Sequence, residues 1–282
     1  MQQFILKTRP FLVIILLILF TGCGGDDDGP GPGPGPGPGP DPDVRTAQDV
    51  IDDFNNLEIT EGKNDLELES LQIGVFWKFR LIVPEGASAT NKRPLVLRLH
   101  GAARSGSPDA HLSTECLVEP GFEGKDVFIL SPNSNGIFWY QEPNIVQVQA
   151  LLDLVSSRFD VDKDRVVSMG YSDGGNGSWF FAEFNSVLFG DQFSASIPMA
   201  SSYRNPPSGG DVSKIDIPVY VIHGTDDDLF PIETTRGFVD EYIAEGSDIT
   251  FAEAEGLVHN APCSYVSYLR EAVNWLETEV WD

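Results

Sequence analysis

Ser172 stands at the centre of a Gly-x-Ser-x-Gly pentapeptide, Gly170–Gly174, where the hydrophobic pattern changes. The mostly apolar, β-branched stretch Arg165–Met169 before it predicts a buried strand, and the bulky residues after it predict a packed helix. Between a strand and a helix this motif makes a sharp turn that holds the serine oxygen above the sheet edge. We therefore predict that Ser172 is a nucleophile; an ordinary turn serine is the alternative.

A nucleophilic serine needs a general base and an acid that orients the base. Hydrolases with this turn carry them in the order serine, acid, histidine. Downstream of the serine, Ile217–Ile222 predicts a buried strand that leads into three consecutive aspartates, Asp226–Asp228, which compete for the role of the acid. Gly224 permits the turn and Pro231 fixes the exit from the loop. The prediction is therefore Asp227, in the middle of the loop.

The chain has four histidines. His100 and His223 each end a predicted strand in a His-Gly pair, where packing beside the turn is the expected role. His111 lies in a polar loop upstream of the serine and is expected to be solvated. Only His259 follows the acid, just before the last predicted helix, so we predict that it is the base.

An oxyanion hole is the third requirement, because negative charge develops on the carbonyl oxygen during acyl transfer. One donor is expected to be the N–H of Asp173, directly after the serine. The predicted strand Pro94–Leu99 runs into the loop His100–Arg104, where Gly101 lets the backbone approach a substrate. The N–H of Ala102 is then the natural second donor. The Asp173 side chain is expected to point outward, because an inward carboxylate would oppose the oxyanion, and to interact with the helix dipole.

Together these motifs resemble the α/β-hydrolase superfamily. The resemblance is strongest to the branch of polyhydroxybutyrate depolymerases, feruloyl and acetyl-xylan esterases, and phospholipase/carboxylesterases. The stretch Phe159–Val166 resembles the Asp-x-x-Arg-Val approach to the nucleophile in that branch. The segment His223–Asp227 with Pro231 resembles its acid loop, in which the matching aspartate is Asp227. The similarity spans roughly residues 71–276.

The resemblance implies an α/β fold with a mostly parallel central sheet, helices on both faces and a small lid. The alternation of predicted strands and helices supports that fold, with the leading strands expected within Leu71–Pro84. The resemblance also implies a serine esterase that works through an acyl-enzyme. Trp139 falls where many members have a tryptophan beside the active site. With Tyr140 it could form an aromatic wall for the substrate; core packing is the alternative.

A small lid is expected from the connection between the predicted strand Ala195–Pro198 and the one that starts at Val219. Within it, Ser201–Asp211 is polar and rich in glycine and proline, so it cannot form a large apolar lid. The site should be open, as suits an ester on a bulky or polymeric group. Acetyl, feruloyl, polyester and lipid esters all stay open as substrates. A serine peptidase is the alternative enzyme, and a non-catalytic surface glycan-binding lipoprotein is the alternative from another class.

The N-terminal residues predict export. Lys7 and Arg9 precede an apolar run, Phe11–Phe20, that is too short to span a bilayer and is typical of a signal peptide. Residues 20–23 resemble a bacterial lipobox, so residues 1–22 are predicted to be a lipoprotein signal peptide and Cys23 the lipidated residue. The acidic segment Gly24–Asp28 resembles the surface-export signal of Bacteroidetes lipoproteins; a solvated spacer is the alternative.

Residues 23–43 are predicted to be a tether, because the Gly-Pro alternation Gly29–Pro40 has no side chains to bury and stays extended. Residues 44–282 are then the catalytic domain, with a small helix of open role at Thr46–Leu57. The expected location is the outer membrane, held by the lipid on Cys23 and exposed at the cell surface. The periplasmic face is the alternative.

Charge and cysteine content limit the partners. The formal net charge is −25, and removal of the signal peptide would make it more negative by two. This excess argues against nucleic acid as a partner. No Cys or His spacing indicates a metal site, and no cofactor is expected. In an exported protein, Cys116 and Cys263 are predicted to form a disulfide that joins the histidine loop to the oxyanion side; two buried free thiols are the alternative. The sequence leaves the oligomeric state open.

Overall fold

Eight strands and seven α-helices form the core of the computed structural model, which describes residues 44–113, 115–203 and 212–282. The strands are β1 (Gly62–Glu69), β2 (Phe76–Val83), β3 (Arg93–Leu99), β4 (Phe128–Pro132), β5 (Val161–Tyr171), β6 (Ala195–Met199), β7 (Val219–Gly224) and β8 (Ile249–Ala254). The helices are α1 (Ala47–Asn56), α2 (Glu115–Gly121), α3 (Glu142–Arg158), α4 (Asp173–Glu183), α5 (Asn185–Phe189), α6 (Ile232–Ala244) and α7 (Val266–Trp275).

The strands form one sheet in the order β1-β2-β4-β3-β5-β6-β7-β8. β2 pairs antiparallel with both β1 and β4, and every other neighbouring pair is parallel. All residues of β6 and β7 are buried, as expected for parallel strands covered on both faces. The mostly parallel α/β sheet is therefore confirmed.

Two apolar clusters lie on opposite faces of the sheet. One contains side chains of α1, α3, α4, α5 and α6, and the other contains side chains of α2 and α7. The carboxyl ends of the parallel strands lie at one edge of the sheet, so the loops that leave β3, β5, β7 and β8 meet there. Those are the loops in which the candidate residues were predicted.

The helix expected near residues 46–57 is α1. Thr46 caps it, since the Thr46 hydroxyl accepts a bond from the N–H of Asp49 while the Asp49 carboxylate accepts one from the N–H of Thr46. The apolar face buries Val50 and Phe54 in the core. Arg158 at the end of α3 donates to the carbonyl of Phe54, which ties the two helices together. The role of α1 is therefore to cover one face of the sheet.

The first two strands differ from the prediction. They were expected within Leu71–Pro84, but β1 starts at Gly62 and only β2 lies inside that range. The charged residues Lys63, Asp65 and Glu67 alternate along β1, an edge strand that faces solvent on one side. Because these charged residues interrupt any apolar stretch, the hydrophobic pattern did not predict this strand.

Several predicted features lie outside the described residues. These are the signal peptide (residues 1–22), the tether (residues 23–43) with the lipidated Cys23, and residues 204–211 of the small lid between β6 and β7. Within the described ranges, no helix has both the length and the apolar character needed to cross a bilayer.

Cys116 and Cys263 form a disulfide with their Cα atoms 5.2 Å apart. Cys116 lies at the start of α2, and Cys263 lies just before α7. These two helices pack on the same face of the sheet, where Leu117 and Leu269 belong to one apolar cluster. The bond therefore joins the segment after the oxyanion loop to the segment after His259.

Replacing both cysteines by serine should lower the free energy of unfolding by up to about 5 kcal/mol. The disulfide links positions 147 residues apart and so restricts the unfolded chain strongly. Both cysteines are exposed, so serine leaves no cavity that would confuse the result. Urea unfolding of the double variant should match that of reduced wild-type protein. A difference from oxidised wild type below about 1 kcal/mol would show that the bond does not stabilise the fold.

Candidate active site

The sharp turn between β5 and α4 carries Ser172 in a strained backbone conformation, with φ 58° and ψ −121°. Its N–H donates to the carbonyl of Met199 at 3.0 Å, and its own carbonyl accepts from the N–H of Asn176 at 3.0 Å. These two bonds fix the turn against β6 and to α4. At Gly174, a Cβ atom would lie 2.0 Å from the carbonyl oxygen of Leu99, so only glycine allows the helix to cross β3 this closely. The geometry is that of a nucleophile elbow.

The loop after β7 selects one of its three aspartates. Asp227 is buried, whereas Asp226 and Asp228 are exposed. The Asp227 Oδ1 atom accepts the N–H groups of Leu229 at 3.0 Å and Phe230 at 2.8 Å. These bonds leave the other carboxylate oxygen, Oδ2, aimed at the histidine loop.

His259 bridges the acid and the serine. Its Nδ1 lies 2.8 Å from Oδ2 of Asp227, and its Nε2 lies 3.0 Å from Oγ of Ser172. An ionised carboxylate can only accept hydrogen bonds, so we assign the proton of the neutral ring to Nδ1. Nε2 is then free to accept the proton of the serine hydroxyl. The structure thus brings together the three residues that the chain order selected.

Two aromatic residues that the sequence did not single out hold His259 in place. The hydroxyl of Tyr171 donates to the carbonyl of His259 at 2.5 Å, and the two rings lie 5.7 Å apart. The ring of Phe230 packs edge-on against the imidazole at 5.2 Å. Tyr171 is the second residue of the Gly-x-Ser-x-Gly motif, a position that the motif leaves free. Only the folded chain shows that it contacts the histidine loop.

His223 supports the acid loop. Its Nε2 donates to the carbonyl of Phe230 at 2.7 Å and lies 3.7 Å from Oδ2 of Asp227. The side chain is buried, and burial lowers the pKa of the imidazole, which favours the neutral ring. The predicted packing role beside the turn agrees with this position.

His100 supports the oxyanion loop in the same way. Its Nδ1 donates to the carbonyl of Gly101 at 2.7 Å, and its Nε2 accepts the N–H of Ser134 at 3.0 Å. Burial lowers the pKa of His100 to about 4. The expectation that His111 is solvated is wrong: the side chain is buried, with Nδ1 3.3 Å from the amide nitrogen of Asn133. The polar residues around His111 led to the prediction of solvent exposure, but the loop that carries them folds back onto the sheet edge.

The buried histidines should make the fold sensitive to acid. Burial lowers the pKa values of His100, His111 and His223 below their ordinary value of 6.5. Between that pH and the folded pKa, the unfolded chain binds more protons than the folded chain. The free energy of unfolding must therefore fall as the pH falls from 7 to 4.5, by roughly 2–3 kcal/mol for His100 alone.

Urea unfolding at pH 7, 6, 5 and 4.5 measures this loss, and a His100→Asn variant should show a smaller one over the same range. A stability that stays level or rises on acidification would contradict the assignment of neutral buried rings.

The backbone after β3 passes directly against the elbow. A Cβ atom on Gly101 would lie 3.0 Å from the carbonyl oxygen of Tyr171 and 3.1 Å from Cβ of Ser172. Ala102 follows in the left-handed conformation, with φ 48° and ψ 47°. Within the described residues, the N–H groups of Ala102 and Asp173 make no hydrogen bond, which leaves both for a substrate oxygen.

The Asp173 side chain does not point outward as expected. Its Oδ2 accepts the N–H of Ala103 at 2.9 Å, so the carboxylate faces the oxyanion loop. Because the N–H of Ala103 would otherwise lack an acceptor, this bond offsets the cost of turning the carboxylate inward.

The aromatic wall predicted from Trp139 and Tyr140 needs correction. Trp139 is only 1% exposed, and its Nε1 donates to the carbonyl of His100 at 3.0 Å, so it supports the oxyanion loop from inside the core. Tyr140 is half-buried and stacks on Phe138, with ring centroids 5.0 Å apart. The guanidinium of Arg104 lies 4.7 Å from the centroid of the Phe138 ring. Phe138, which the sequence did not single out, therefore replaces Trp139 as the partly exposed partner of Tyr140.

The described residues contain no group of three or more His, Cys, Asp or Glu side chains that could hold a metal ion.

No protein-family model and no curated protein matches this sequence. Solved structures do match. A thermostable esterase has a TM-score of 0.61 and 23% identity, over 81% of this chain and 63% of that chain, less than two thirds of its length. A substrate-bound, fluorophosphonate-binding serine hydrolase of Staphylococcus aureus has a TM-score of 0.62 and 18% identity, over 77% of this chain and 99% of that chain.

A third match is Thermogutta terrifontis esterase 2, in a structure phosphorylated by paraoxon. It has a TM-score of 0.60 and 17% identity, over 78% of this chain and 95% of that chain. At such identities the similarity shows a shared fold. Since the eight-stranded sheet and the strained serine turn point to the same architecture, the chain has the α/β-hydrolase fold.

Proposed function

We propose that this protein is a serine carboxylic-ester hydrolase. The observation that carries the proposal is the position of His259, which contacts both Oγ of Ser172 and Oδ2 of Asp227. An imidazole with a serine hydroxyl at one ring nitrogen and a carboxylate at the other is the arrangement that activates the hydroxyl for attack.

The geometry leads to a two-step reaction. Nε2 of His259 takes the proton of Ser172 as Oγ attacks the ester carbonyl. The N–H groups of Ala102 and Asp173 bind the developing oxyanion. The protonated imidazole then gives its proton to the leaving alcohol, and the acyl group stays on Ser172. A water molecule then attacks the acyl carbon while His259 takes one of its protons. When the second tetrahedral intermediate collapses, the bond to Oγ breaks, the imidazolium returns its proton to Oγ of Ser172, and the acid is released.

Asp227 has two functions in this mechanism. Its Oδ2 holds the proton on Nδ1 of His259, so Nε2 faces the serine as an acceptor. Its negative charge also stabilises the imidazolium that forms when the histidine takes the serine proton. The N–H groups of Leu229 and Phe230 bind the other carboxylate oxygen, Oδ1, and so hold the carboxylate in this orientation.

The matched structures support ester chemistry, since two are esterases and one is a fluorophosphonate-binding serine hydrolase. The finer assignment, to the branch of polymer and glycan esterases, rests on the sequence resemblance. The connection between β6 and β7 is polar and contains too few apolar residues for a large lid. We therefore propose an accessible ester of a polysaccharide or another polymer as the substrate.

A panel of substrates tests this function in the purified full-length protein. Acetylated and feruloylated xylan, a polyester, a long-chain lipid ester and a peptide amide would be compared by kcat/KM. The proposal predicts hydrolysis of at least one ester and preference for a polymeric one. Faster cleavage of the peptide amide would indicate a peptidase. Binding of a glycan without turnover of any ester would indicate a glycan-binding lipoprotein.

We also propose that a lipid on Cys23 anchors the protein to the outer membrane, with the catalytic domain at the cell surface. The lipobox-like residues 20–23 and the acidic segment that follows support this location. Cys23→Ala should release the protein from the membrane fraction, because the acyl chains need the cysteine sulfur. Unchanged fractionation would contradict the anchor. Digestion by protease added to intact cells distinguishes the surface from the periplasmic face.

A further inference from the structure

Asp173 combines two features that oppose each other. Its N–H is a proposed oxyanion donor, while its carboxylate brings a negative charge to the place where negative charge must develop. We propose that the carboxylate is a positioning group that holds the oxyanion loop in its active conformation. This inference deepens the proposed function and rests on it.

A hydrogen bond to Ala103 ties the Asp173 side chain to the oxyanion loop. Oδ2 of Asp173 accepts the N–H of Ala103 at 2.9 Å, across 70 residues of sequence. On the other side of the same residue, Oγ of Ser134 donates to the carbonyl of Ala103 at 2.5 Å. Ala103 is thus held from α4 on one side and from the loop after β4 on the other.

These two bonds to Ala103, one from Asp173 and one from Ser134, form a clamp. The clamp determines which backbone N–H group the loop presents to a substrate. With the N–H of Ala103 engaged by the carboxylate, the N–H of Ala102 is left for the substrate. Ala102 lies in the left-handed region at φ 48°, which an alanine adopts only when its surroundings hold it there. The side chain of one donor residue therefore fixes the position of the other donor, and the two halves of the oxyanion hole form one unit.

The acceptor oxygen and the charge of Asp173 should have different effects. The oxygen is needed to hold Ala103. The charge opposes the oxyanion, although the N-terminus of α4 and the bond to Ala103 offset part of its field. The pKa of the Tyr140 phenol is raised, first by burial and second by the negative charge of Asp173. The charge of Asp173 therefore acts on a group beside the site. Asparagine would keep an acceptor oxygen at this position and remove the charge.

Two substitutions separate the oxygen from the charge. In the full-length protein, Asp173→Ala should lower kcat by about 10–100-fold and leave KM within about threefold. The displaced N–H donor would no longer stabilise the oxyanion, which develops in the transition state and not in the bound substrate. Asp173→Asn should raise kcat above that of wild type. Glu142→Ala, which removes an acid from the first turn of α3, is the matched control for a change of surface charge.

The inference is overturned if Asp173→Ala matches wild type, or if Asp173→Asn falls to the level of Asp173→Ala. The second result would mean that the charge itself is required. Ser134→Ala removes the other half of the clamp and should show the same selective loss of kcat. If it leaves kcat unchanged, Ala103 needs no clamp and the inference fails.

Hydrogen–deuterium exchange gives a readout that does not depend on turnover. The peptide that covers residues 100–105 should exchange faster in Asp173→Ala than in wild type, and at the wild-type rate in Asp173→Asn. Unchanged exchange in Asp173→Ala would overturn the clamp even if the protein is active. A protein that shows the exchange pattern but hydrolyses no ester would retain the clamp and contradict the proposed function instead.

Discussion

Ser172→Ala should hydrolyse esters at less than about a thousandth of the wild-type rate. The substitution removes the oxygen that is hydrogen-bonded to Nε2 of His259, and with it the atom that would carry the acyl group. The fold should be retained, because the bond from the N–H of residue 172 to the carbonyl of Met199 involves backbone atoms only. Initial rates on the best ester of the panel measure the loss, and urea unfolding checks the fold.

Ser201→Ala is the matched control for this change. Ser201 is buried beside Gly175, one residue beyond the elbow, and its hydroxyl has no hydrogen-bond partner among the described residues. The control should keep wild-type turnover within about threefold. If Ser172→Ala keeps more than about a thousandth of the activity, Ser172 is not the nucleophile.

Asp227→Asn should lower kcat by about ten thousandfold. The asparagine oxygen can still accept the N–H groups of Leu229 and Phe230, which leaves the amide NH₂ facing Nδ1 of His259. An NH₂ group donates, so the proton of the ring moves to Nε2. In that tautomer the imidazole cannot accept the proton of Ser172. Single-turnover rates with an activated ester measure the effect on acylation.

Asp226→Asn and Asp228→Asn are the controls, because both carboxylates belong to the same loop but are exposed. Each should keep turnover within about threefold. If either proves more costly than Asp227→Asn, the acid of the site has been assigned to the wrong residue of the loop.

The parts of this molecule that the sequence predicted well are those set by local chain geometry. A strand, a glycine-flanked serine and a helix in direct succession leave few conformations, so the elbow at Ser172 could be predicted. The choice of Asp227 among three aspartates was possible because Gly224 and Pro231 limit the loop at both ends. In each case neighbouring residues determine where the side chain can point.

The predictions that failed depend on contacts between distant segments. The direction of Asp173 is set by an N–H group 70 residues away. Trp139 is buried because its indole N–H meets the carbonyl of His100, and His111 is buried because its loop folds over the sheet edge. Tyr171 holds the histidine loop across 88 residues. Nothing in the local composition indicates such contacts, since they form only when the loops meet at one edge of the sheet.

Labelling with a fluorophosphonate, followed by peptide mapping, tests the central claim most directly. This reagent phosphonylates a serine only where a base and an oxyanion hole activate it. We expect one adduct per chain, on the peptide that contains Ser172, and none in Ser172→Ala. A folded wild-type protein that stays unlabelled, or that carries its adduct on another serine, would contradict the claim that Ser172, His259 and Asp227 form a catalytic site.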